Sequence, residues 1–172
     1  MRPTPRKRSG KRNGSALIEF TLVGIPLLLI STSLMMTALC MWQFNNLAYG
    51  TQTTARYVVM HGRTCAQSGN TCTVTVGDVA SYFAGHTIAL DAGTANLTLK
   101  SATATTNCNP VSACSGNTSQ FPNSNDNGVN FDVTVTATYP VANPLAMFWP
   151  GSSGVNAGTT NLWATSRQRI TF

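Results

Sequence analysis

The longest feature in the pattern of hydrophobic and polar positions is an uncharged run over residues 20–44, FTLVGIPLLLISTSLMMTALCMWQF. As a helix it measures roughly 37 Å at about 1.5 Å per residue, and about 20 apolar residues suffice to cross a bilayer. The run therefore predicts a membrane-spanning helix. A partly apolar stripe continues past it, with Leu47, Thr54, Ala55, Val58 and Val59 at helical spacing. The helix is expected to continue to about His61, with Gly62 as its stop. Pro26 cannot donate to the carbonyl of Leu22, so a kink or local loosening is expected there. Gly24, Ser31 and Ala38 recur every seven residues, close to one face. Small residues on one face let helices approach closely in lipid, although they are also simply common in membrane helices. Cys40, inside the run, reads as a small apolar filler.

Beyond residue 62 the helical period gives way to short elements. Asp78 can cap a short helix, DVASYFAGH, with Val79, Tyr82 and Phe83 on one side. Residues 95–102 carry Leu97 and Leu99 in strand-like alternation. The clearest strand is 129–139, where Val129, Phe131, Val133, Val135, Ala137 and Tyr139 share one face, with Pro140 and Pro144 ending it. A final strand, 161–172, puts Leu162, Ala164, Ile170 and Phe172 on one face and Trp163, Arg167 and Arg169 on the other. Stretches 103–127 and 150–160 are expected to be loops. The fold class is α+β: a long N-terminal transmembrane helix extends into a small domain with an antiparallel sheet of three or four strands, packed on one face against helix. The organisation is residues 1–14 as a basic leader, 15–62 as the helix and its extension, and 63–172 as the outer domain.

Charge gives this helix a direction. Arg2, Arg6, Lys7, Arg8, Lys11 and Arg12 all precede residue 13, whereas the remaining five basic and five acidic residues cancel. A basic cluster before the run and none close behind it places the N-terminus in the cytoplasm, with Trp42 and Phe44 at the outer interface. The net charge of +6 thus reports membrane topology and not a nucleic-acid surface. A cleaved secretory signal fits less well. Its apolar region is about 7–15 residues long and ends in a small-x-small site, whereas this run is longer and leads into QFNNLAYGTQ.

Only 9% of the residues are charged, against about a quarter in an ordinary soluble protein. With Thr, Asn and Gly in the polar positions and paired cysteines, the outer domain reads as exported into an oxidising compartment. Cys65, Cys72, Cys108 and Cys114 lie in it. Local pairing, Cys65–Cys72 and Cys108–Cys114, is preferred among three connectivities because each pair flanks a short polar loop. Zinc is the alternative, but neither spacing is the C-x₂₋₄-C of structural zinc sites.

The junction of leader and helix, KRNG-SALIEF, combines a charged leader ending in Gly14, a small residue, Ser15, and an acid, Glu19, five residues after the glycine. A carboxylate at the edge of an apolar span is costly to insert. A helix N-terminus offsets part of that cost, and a new α-amine on Ser15 would offset more. This stretch resembles type IV prepilins, and among them the TadE-like pseudopilins of tight-adherence pili. The likeness to that branch lies in the Glu19-Phe20 pair, the Leu-rich run entered through Pro26-Leu27-Leu28-Leu29, and AYGTQTTARYVV over residues 48–59. It covers roughly the first third of the chain.

The resemblance implies cleavage after Gly14 by a prepilin peptidase, Ser15 as the mature N-terminus, and Glu19 pairing with the N-terminus of a neighbouring subunit during assembly. It also implies other pilin-like subunits and a membrane assembly platform as partners, in a bacterial inner membrane. Major pilins more often begin with Phe or Met and have a longer uninterrupted run, so a minor pilin is the closer match.

No catalytic constellation is visible. His61 and His86 are the only histidines, no nucleophile elbow frames a serine, and there is no phosphate loop. No cofactor, metal or nucleic-acid partner is expected, and the one reaction foreseen has this chain as its substrate. A second function class stays open: an unprocessed, anchored binding module whose outer domain, through Trp149, Trp163 and its long loops, binds a ligand or an envelope component.

Overall fold

The computed structural model describes residues 13–61, 74–142 and 159–171. The chain divides into two compact units, Met1–Thr37 and Ala38–Phe172. One helix, α1 (Asn13–Met60), belongs to both and continues through Pro26. It is long and apolar enough to cross a membrane.

In the first unit α1 presents its apolar side chains outward. Leu17, Phe20, Leu22, Leu27 and Ile30 are each more than 60% exposed. That is the wrong surface for water and the right one for hydrocarbon. Four of its hydroxyls are satisfied within the helix. Thr21 donates to the carbonyls of Leu17 and Ile18, Ser31 to Leu28, Thr32 to Leu28 and Leu29, and Thr37 to Ser33. A polar side chain bonded back to its own helix carries no unpaired donor into lipid.

In the second unit the rest of α1 is built into a core. Leu47, Ala55 and Val58 are fully buried, as are Val79 and Phe83 of α2 (Val76–His86). They pack with one face of a four-stranded antiparallel sheet made of β1 (Asn96–Lys100), β2 (Thr105–Cys108), β3 (Asp132–Ala142) and β4 (Thr159–Arg169), in the order β2-β1-β3-β4. Leu97 and Leu99 of β1, Val133, Val135 and Ala137 of β3, and Ala164 of β4 supply that face. Each large side chain so buried contributes about 1.5–3 kcal/mol. The expected α+β class and the helix-on-sheet packing are therefore present.

Several element boundaries differ from expectation. Helix α2 starts two residues before Asp78. Thr75 is the N-cap, its hydroxyl accepting from the Asp78 N–H while the Asp78 carboxylate accepts from the Thr75 N–H, a reciprocal capping box. Strand β3 starts three residues later than expected because Asn130 adopts φ 73°, which breaks the extended run and leaves Val129 and Phe131 exposed.

The same strand continues through Pro140 instead of ending there. β1 stops pairing at Thr138, so beyond it β3 has a neighbour only in β4, and an edge tolerates a residue without an N–H. The stretch 103–127 is not all loop, since it holds β2 and a 3₁₀ turn, Val111–Cys114. Thr159 and Thr160, also expected to be loop, belong to β4.

Candidate functional site

The residues singled out at the leader junction fall at the start of α1. Gly14 and Ser15 lie within its first turn, and Glu19 is exposed in the next.

Of the small-residue face, Ser31 and Ala38 are exposed. Gly24 is partly covered by the Phe20 ring, which lies 3.8 Å from where a Cβ would sit. Cys40 is a half-buried free thiol.

Within the second unit, the C-terminal end of the apolar run meets the sheet. Phe44 and Ala48 of α1 and residues 161–165 of β4 line an open groove of about 480 Å³. β4 is an outer strand of the sheet, and Trp163 stands 68% exposed beside this groove. Trp42 and Phe44, also well exposed, lie on α1 at the same end of the apolar run. The alternation along β4 had put Trp163 on the polar face. Its position beside Phe44 was not legible, because 118 residues separate the two. Trp149 lies outside the described residues.

Several ionisable groups of this unit are engaged in structure. Asp126 is buried, and its Oδ2 accepts from the Ser101 hydroxyl at 2.6 Å, the Thr103 N–H at 2.8 Å and the Thr103 hydroxyl at 2.7 Å. These bonds, that from Ser101 foremost, hold its carboxyl below the usual aspartate range. Asp132 pairs with Arg167 and Arg169 at the far end of the β3–β4 ladder, which likewise lowers its pKa.

His61 and His86 each engage a carbonyl one turn back through Nδ1, on Tyr57 and Tyr82 respectively. Their rings flank a stack in which Tyr57 and Tyr82 lie 4.1 Å apart, joining the end of α1 to α2. Burial is the first cause of a raised Tyr57 pKa. In this stack the two histidines serve as helix-end and packing residues.

Cys108 and Cys114 form a disulfide, so their sulfurs are not available as metal ligands. Cys65 and Cys72 lie outside the described residues. Among the described residues no three metal-ligating side chains gather. No family model matches this chain, and neither a curated protein nor a solved structure matches it.

Proposed function

We propose that this chain is a minor pilin or pseudopilin of the TadE-like kind, processed after Gly14 by a prepilin peptidase and acting in assembly of a tight-adherence pilus. The observation that carries the reading is the dual use of α1. One uninterrupted helix contains Gly14, exposes apolar side chains over its first unit, and supplies Leu47, Ala55 and Val58 to the core of a small α+β unit. A subunit that must move from bilayer to fibre needs such a handle: a lipid-soluble helix whose far end is fixed to a folded head. The mature N-terminus is Ser15, Glu19 recruits a neighbour, and the Gly24, Ser31, Ala38 face lies against other helices. The N-terminus is cytoplasmic and the sheet-bearing unit extracytoplasmic.

Co-expression with a prepilin peptidase tests the processing step. The chain is expected to shorten by its leader, and Gly14→Val is expected to abolish the shortening. Cleavage elsewhere, or none in the unaltered chain, refutes it. The second reading, an unprocessed anchored binding module, draws on one observation, the open groove beside Trp163. It would be favoured by Gly14→Val chains that keep full activity in the cell.

A further inference from the structure

We infer that the outer unit rests on the membrane surface through Trp163, with the groove between Phe44 and β4 filled by the headgroup and upper acyl region of the bilayer that α1 crosses. The inference rests on the reading of α1 as a membrane span. Three features of the second unit carry it.

The first is continuity. Phe44 is the last residue of the apolar run of α1, before Asn45 and Asn46, and is also a wall of the groove, so whatever surrounds the end of that run reaches the groove without a gap. The second is the residue itself. Trp163 is a large apolar side chain left 68% exposed on an outer strand. Its indole has an apolar body and one N–H donor, the combination that favours the boundary between hydrocarbon and water. Trp42, 56% exposed on α1, stands at the same end of the apolar run.

The third is the distribution of charge along the β3–β4 ladder. Residues 159–165 of β4 and 133–142 of β3 carry no charge, whereas Asp132, Arg167 and Arg169 cluster at the opposite end. Arg167 is four residues from Trp163, about 13 Å along a strand. The ladder thus has an uncharged end beside Phe44 and a charged end away from it, the polarity of a domain set down on a bilayer.

Fluorescence of the full chain in phosphatidylcholine/phosphatidylglycerol vesicles tests this. One variant, W42F/W149F, leaves Trp163 as the sole tryptophan. A second, W149F/W163F, leaves Trp42. Lipids spin-labelled near the headgroup are expected to quench both, with about a twofold loss of Trp163 emission, as for an indole at headgroup level. Quenching of Trp42 with Trp163 untouched and open to acrylamide overturns the inference while leaving the span intact, because the unit then stands clear of the bilayer. Trp163 shielded from acrylamide yet unquenched by labelled lipid also overturns it, by showing a protein cover. If neither tryptophan is quenched, the span itself is refuted and the inference with it.

Discussion

Gly50 lies in the α1–α2 contact. A Cβ at Gly50 would come within 2.2 Å of Thr87 Cγ2, and Thr87 is itself fixed by donating its hydroxyl to the Phe83 carbonyl. Alanine gains roughly 1 kcal/mol of helix propensity over glycine, but overpacking costs about 1–3 kcal/mol. Gly50→Ala is therefore expected to destabilise the second unit on balance, read as a lower urea midpoint, and an unchanged or higher midpoint would mean that α1 and α2 do not meet there as described.

Three aspartates set the acid response. Ser101 on Asp126, Arg167 on Asp132 and Thr75 on Asp78 each lower the folded-state pKa. An acid with a depressed folded pKa contributes stability that is complete above its unfolded value, about 3.9. That contribution is lost as pH falls through the folded value, because the unfolded chain then binds more protons. The aspartates should leave the unfolding midpoint level between about pH 7 and 5 and lower it below about pH 4. A midpoint that rises on acidification below pH 4 would contradict these assignments.

Among the elements, those with a clear apolar period were legible, and the short strand without one was not. β1 and the centre of β3 announce themselves by Leu97, Leu99, Val133 and Val135, all of which are buried. β2, TTNC, buries only Cys108, so no alternation marks it, and its polar side chains read as loop. The start of β3 was misplaced because Val129 and Phe131 continue the alternation while Asn130, a residue that tolerates positive φ, breaks the strand. In α2, Asp78 was correctly tied to the helix start but assigned the wrong half of the capping box, since either partner of a Thr-x-x-Asp pair can look like the cap.

The Cys108–Cys114 bond was legible from spacing. It ties the end of β2 to the 3₁₀ turn across six residues. Closing so short a loop contributes about 2 kcal/mol in the chain-entropy picture. Cys108→Ser with Cys114→Ser is expected to lower the unfolding free energy of the second unit by about that amount, and no loss would show the bond to be dispensable to the fold.

At the scale of the whole molecule, one helix serves two environments. Its early turns carry apolar surface outward with every named hydroxyl bonded back to the helix, and its later turns bury Leu47 and Val58 against sheet and α2. The long apolar run could be read from sequence because it is contiguous. The groove at Trp163 could not, because it is made by bringing β4 beside Phe44, and only the tertiary fold does that. The proposed processing links the two scales: removing the leader is what makes Glu19 the fifth residue of the mature chain and frees the amine it would pair with in a neighbour.

The intact mass and N-terminal sequence of the protein recovered from its native membrane test that account most directly. A chain beginning at Ser15 is the predicted result. A chain that still begins at Met1 would contradict prepilin-type processing and leave an anchored envelope protein whose outer unit acts by binding.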